Sequence, residues 1–298
     1  MTTQARSTIL PFAVACFGIA LFSMMDGAMK GLAMAIGAYN AMLWRQAAGL
    51  VIGGTTFAAT RGAWPTRAAM RLHLLRGSIA AVMALTFFWG IARIPLAEGI
   101  ALSFIAPLIT LYLAAVMLGE KISRASVFAS LLGLAGVGVI LSARIGSEQH
   151  DAEALWGAGS IFVSAILYAY NLILQRQQAQ IATPVQVAFF MNVFAFATML
   201  LGAPWLAVVP DVQHVPAILL SAGLAYVSVL LMSWAYARAE AQVLVPVEYS
   251  AFIWAAIIGW LVFDEALSAA TIAGAALIVV GCLLATRQRP EHVEATAV

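Results

Sequence analysis

Ser164, Tyr168, Asn171 and Gln175 interrupt a long apolar run at intervals of four, three and four residues. At 3.6 residues per turn that spacing sets them on one face of a helix. Polar groups in hydrocarbon face a cavity or one another. A stripe of hydroxyl, phenol and amide groups therefore suits a binding cavity for a polar solute, or hydrogen bonds between packed helices. Glu248 is a second candidate. It stands about six residues inside its apolar run, about 9 Å deep at 1.5 Å per residue, with no basic residue within one helical turn. A carboxyl so placed suits binding of a cationic amine, carriage of a proton, or a hydrogen bond to a neighbouring helix. Ser103 shares a helical face with Pro107 and Thr110 in another run. Tyr226, Tyr249 and Trp254, with Ser233 and Trp234, lie well inside their runs. Tyr and Trp normally collect at the membrane surfaces, so these residues are candidates to line a cavity for bulky, partly apolar solutes, with core packing as the competing account. Asp26 and Lys30 are four apart, the order for a helical ion pair, and Asp26 is a second candidate for coupling. Glu98, nearer the end of its run, is expected to be solvated.

Other chemistries lack their residues. The histidines are His73, His150, His214 and His292, and none forms an H-E-x-x-H box. There is no G-x-S-x-G elbow and no Walker motif, so neither an intramembrane enzyme nor an ATP-driven pump is expected, and no cofactor or metal. Cys16 and Cys282 each lie in an apolar run, which suits packing rather than a disulfide.

The elements that would position the polar stripes are membrane helices. Of 298 residues, 63% are hydrophobic and 9% charged, with a mean hydropathy of +0.97. A soluble domain carries about 25% charged residues, so the bilayer must be the main solvent. With 15 basic against 13 acidic residues there is no basic tract for nucleic acid. Polar breaks at 37–40, 61–71, 93–95, 119–124, 144–153, 175–184, 210–214, 238–242 and 264–268 leave ten apolar segments. Each is long enough to span, and none alternates as a membrane barrel would. Residue 9 onward reads as a retained first helix. The expected fold is an all-α membrane protein of ten transmembrane helices, working as a monomer with a small-molecule substrate. Eleven of the fifteen basic residues fall on the side shared by both termini, counting Arg76 with the 61–71 loop, and three on the other side. The positive-inside rule then puts both termini in the cytoplasm of an inner membrane.

A shift of 145 residues superposes Trp89 on Trp234, Arg93 on Arg238, Glu120 on Glu265 and Gly136 on Gly281, among nine identities between 89–140 and 234–285. The same shift places Tyr168, Asn171 and Gln175 on Ser23, Asp26 and Lys30. Residues 1–145 and 146–298 thus read as two five-helix repeats. An odd number of spans inverts the second, and such inverted repeats enclose a central site in many carriers.

Two stretches carry a family likeness. One runs from Arg93 to Gly138 with Pro95, Pro107 and Leu118-Gly119-Glu120-Lys121. The other runs from Arg238 to Gly281 with Pro246, Asp264-Glu265, Gly274 and Gly281. They resemble the paired repeats of EamA-type members of the drug/metabolite transporter superfamily, and overall the chain is similar to the amino-acid exporters of the YddG type. The first half departs from the pattern, with Ala129 where the second has Gly274. The resemblance implies secondary transport by alternating access, with export of amino acids, aromatic ones included, or related metabolites. Amphiphilic drugs or organic cations are the alternative cargo.

Overall fold

The computed structural model describes the backbone of residues 3–118, 124–145, 152–179, 181–236 and 247–286, and most of their side chains from Leu10 on. Among these residues the chain is helical throughout, as a helical membrane protein. In chain order the helices are α1 (Thr3–Ile36), α2 (Ala38–Ala59), α3 (Arg67–Ile91), α4 (Leu96–Ser103), α5 (Ala106–Leu118), α6 (Arg124–Ile145), α7 (Ala152–Ala179), α8 (Pro184–Leu200), α9 (Ala203–Leu206), α10 (Val215–Tyr236), α11 (Ala251–Phe263) and α12 (Ala269–Thr286). Among the described residues four stretches are long and apolar enough to cross a bilayer by themselves: Leu10–Ile36, Arg67–Ile91, Ala152–Gln175 and Val212–Met232. Shorter apolar stretches lie in α4–α5, α6, α8, α11 and α12.

Local chemistry sets the ends. Gly37 takes φ +79°, so α1 turns into α2 over a single residue that an L side chain would strain. Thr66 caps α3 by accepting from the Ala69 amide at 3.2 Å. Thr183 and Gln186 form a reciprocal capping box at α8, with Pro184 in the first turn.

The helices pair in a defined pattern. α1 packs on α10 and α3 on α7; α2 packs on α8, α4 on α11 and α6 on α12. Two of these pairs meet backbone to backbone. A β-carbon on Gly136 would lie 2.5 Å from the Gly274 carbonyl oxygen, and one on Gly274 would lie 2.6 Å from that of Gly136. Gly90 and Gly157 do the same for α3 and α7, at 2.7 and 3.1 Å. In lipid such small-residue contacts replace the hydrophobic drive between helices. Leu96, Ile105, Leu108, Ile140, Ile161 and Ile278 fill the centre, while Phe17, Leu131, Leu134, Trp260 and Leu261 face outward, where a bilayer solvates them. Trp64, Trp156 and Trp205 are exposed near helix ends, as interfacial anchors.

Candidate substrate site

The fourth apolar segment breaks at Phe104–Ile105, between α4 and α5. There the amides of Phe104 and Ile105 turn back to Ala101 and Leu102, three residues earlier, at 3.2 and 3.3 Å. The cause is local: Pro107 has no N–H to give, and its ring crowds the carbonyl four residues before it. A second break falls at Tyr249–Ser250, just before α11, where the Ser250 amide turns back to Val247 at 2.9 Å. Phe252, not proline, stands where Pro107 stands in the first break. The two breaks meet. The Phe104 and Tyr249 rings touch edge to face, 5.2 Å apart at 88°. Ser103 and Glu248 immediately precede the two rings, and Ser250 follows with its buried hydroxyl unpartnered among the described residues. The Ser103 hydroxyl donates to the Gly99 carbonyl at 2.9 Å.

The α7 stripe runs alongside. Ser164 donates to Met83 O of α3 at 2.8 Å. Tyr168 is 36% exposed although its helical neighbours Ser164 and Asn171 are buried. The outward face of α7 is a different one, formed by Leu155, Phe162 and Ile166. An accessible tyrosine on the inward face lines internal space. Its hydroxyl lies within electrostatic range of both Glu248 and Arg76. Arg76, counted above with a loop, sits inside α3 and is 6% exposed. Its Nε donates to Asn171 at 3.1 Å, one terminal nitrogen donates to Gln175 at 3.1 Å, and the other donates to Gln178. Asn171 and Gln175 are thus spent on an arginine that spacing did not connect to them. The available signal was Arg76's place nine residues inside an apolar helix.

Other candidates lie elsewhere. Tyr226 donates to Thr56 at 2.7 Å, a bond between α10 and α2, so it serves helix packing rather than the central break. Tyr226→Phe is expected to lower thermal stability by about 0.5–1.5 kcal/mol and leave transport kinetics unchanged, as thermal unfolding and flux measured on one preparation would show. Trp254 shares a face of α11 with exposed Ile257 and Leu261, away from buried Ala255 and Gly259. Ser233 and Pro246 fall outside the described side chains, as does the Glu120 turn. Asp26 is buried and faces Arg45 electrostatically. His73 is fully buried, stacked on Phe190 and bonded through Nδ1 to Gln178. Glu98, expected to be solvated, is 3% exposed because α4 packs between α7 and α11.

Lys30 reaches Glu265 rather than only its own helix. It also donates to the Ile94 carbonyl at 2.6 Å, and Glu265 accepts from the Leu96 amide at 2.7 Å. One carboxylate therefore ties α1 to the start of α4. The end of α11 aims it: Asp264 takes the left-handed conformation, φ 54°, and the Glu265 amide returns to Gly259 O at 3.0 Å. This closure, six residues back, lays Glu265 over Gly259, where a β-carbon would sit 2.7 Å from the carboxylate. Nearby, Arg93 pairs with Glu153 at 2.7 Å and lies over Trp89.

A solved crystal structure 21% identical in sequence shares this fold, with a TM-score of 0.64 over 94% of this chain and 99% of that one. The pseudopaline exporter CntI of Pseudomonas aeruginosa is 26% identical over 90% of this chain and 93% of its own length. A riboflavin transporter of Vibrio cholerae is 28% identical over 72% of this chain and 71% of its own. The aromatic amino acid exporter YddG of Ancylobacter novellus is 25% identical over 67% and 70%. Residues 155–287 match the EamA-like transporter family, and the protein is a multi-pass membrane protein similar over most of its length to transporters of that kind.

Proposed function

We propose that the chain is a ten-helix secondary carrier that exports amino acids, aromatic ones included, across a bacterial inner membrane by alternating access, as a monomer. Its halves, 1–145 and 146–298, are inverted repeats, and both termini are cytoplasmic. The observation that carries this reading is the contact between Phe104 and Tyr249, which are 145 residues apart. Residues related by the repeat shift touch only where a two-fold axis passes between them. Both stand at helix breaks, and discontinuous helices at the repeat interface build the substrate sites of many carriers. The packing pattern supports the same axis. The shift converts the α1–α10 pair into the α7–α3 pair, and it maps α2–α8 and α6–α12 onto themselves. Substrate-facing groups are Ser103, Tyr168, Glu248 and Tyr249 around the break, with Asn171 acting through Arg76. Glu248 takes the substrate ammonium or carries a coupled proton.

The test is counterflow in proteoliposomes. Vesicles loaded with unlabelled amino acid should accumulate labelled phenylalanine, tyrosine or tryptophan above the protein-free level. Uptake of a dye cation or of riboflavin with no uptake of any amino acid would overturn the substrate class. A chemically altered product in the vesicles would overturn the carrier reading.

A further inference from the structure

Arg76 is a buried cation whose described partners are all neutral. Asn171, Gln175 and Gln178, at intervals of four and three on one face of α7, each present a side-chain carbonyl to it. Gln178 is itself oriented from behind. Its Oε1 accepts from Arg76, so its Nε2 must donate to Nδ1 of His73, which leaves the ring proton on Nε2. That nitrogen has no partner among the described residues.

The arrangement fixes the guanidinium plane without cancelling its charge. No described carboxylate lies within ion-pair distance of Arg76. A full charge at this depth is costly unless an anion meets it. Three of its five N–H groups are used, leaving two, one on each terminal nitrogen. That is the donor set a carboxylate accepts from in a two-bond pair. Tyr168, one turn along α7 from Asn171, is 36% exposed and stands within electrostatic range of both Arg76 and Glu248. An anionic group entering beside Tyr168 is drawn to Arg76, and a cationic group to Glu248.

We infer that Arg76, held by the three α7 amides, is the carboxylate-recognising group of the cavity, and that the cargo must carry an acid function. This rests on the carrier reading above and narrows its substrate class to zwitterions, setting aside organic cations.

Three indole probes isolate the charges: tryptophan has both, tryptamine lacks the carboxylate, and indole-3-propionate lacks the ammonium. Inhibition constants against tryptophan counterflow are measured for the unmodified protein, Arg76→Lys and Arg76→Gln. Tryptophan should bind the unmodified protein at least tenfold more tightly than tryptamine. Arg76→Gln should weaken tryptophan and indole-3-propionate at least tenfold while moving tryptamine little, and Arg76→Lys should recover part of the loss. Since glutamine at 76 keeps hydrogen bonding, a merely structural arginine would shift all three probes together, and that result would overturn the inference. If Arg76→Gln does not fold, Arg76→Lys decides, because loss of the two-bond geometry must still fall on the two acids alone. Failure of the unmodified protein to move tryptophan, with transport of another amino acid, would be met by the matching amine and acid of that amino acid. Failure with every amino acid would sink the carrier's substrate class rather than the role of Arg76.

Discussion

Gly274→Val is expected to abolish accumulation of folded protein. A β-carbon at Gly274 would meet the Gly136 carbonyl oxygen at 2.6 Å and Ile140 Cγ1 at 2.5 Å. The isoleucine can yield; a helix carbonyl can move only if α6 and α12 separate. Overpacking costs about 1–3 kcal/mol where side chains can shift, and two helix backbones forced apart lie beyond that range. Gly274→Ala should already lower the unfolding temperature clearly. Gly138→Ala is the control, because a β-carbon there meets nothing within 4 Å. It should match the unmodified protein or exceed it slightly, as alanine favours helix over glycine by about 0.8–1 kcal/mol in aqueous peptides. Size-exclusion profiles and thermal unfolding in detergent read the difference. Equal behaviour of Gly138→Ala and Gly274→Ala would remove the close helix approach from the account.

Glu265→Gln should have the second-largest effect. It removes the carboxylate that pairs with the buried Lys30 ammonium, which is 4% exposed. Breaking one side of a buried pair costs about 3–5 kcal/mol, whereas replacing both partners by apolar groups is often neutral. Lys30→Met combined with Glu265→Met should therefore be more stable than Glu265→Gln, a reversal that simple loss of contacts does not produce. Because Glu265 also holds the Leu96 amide, the single change should loosen this end of the bundle. A cysteine placed at Ala97, which lines a cavity of about 260 Å³ beside Glu265, should then react faster with a water-soluble maleimide. Unchanged labelling would mean that the ion pair does not hold that end shut. If the double replacement is no more stable than Glu265→Gln, Lys30 is not the group left stranded.

The sequence made some of this legible and hid the rest for physical reasons. Apolar segments and their polar breaks follow from hydration, so helices were readable from composition and spacing. The 145-residue register was readable because Trp, Arg and Glu are rare letters in such a chain. It relates Phe104 to Tyr249 by number, but nothing in the sequence singled out that pair or said that their rings touch. The α7 stripe was visible as one face, but its partner was not. Periodicity orients a helix without naming what faces it, and Arg76 lies 95 residues away from Asn171. Lys30 shows the same limit. Its local neighbour Asp26 is at helical spacing, yet it bonds to Glu265, 235 residues distant, and to the Ile94 carbonyl. Tyr226 shows a related limit, since a phenol deep in a span needs a partner and Thr56 on another helix supplies it, which spacing could not name. Glu98 was placed near water by counting from a loop, and the packing of α4 between two helices removed it.

The Lys30–Glu265 tie bears on direction. Were the halves identical, the inward-facing and outward-facing forms would be versions of one structure related by the proposed two-fold rotation and equally populated. They are not identical: the repeat shift puts Gln175 in the place of Lys30, so one end is fastened by opposite charges and its counterpart position offers a neutral amide. Every 1.4 kcal/mol of that difference is about a tenfold bias in the resting ratio of the two forms. In the carrier proposed above, the empty form would then rest mostly with its charged end fastened. Such a molecule loads quickly from one compartment and slowly from the other, yet without a coupled ion it leaves the final concentrations equal. It behaves as a rectifier of rate, and only a driving ion could make it a pump.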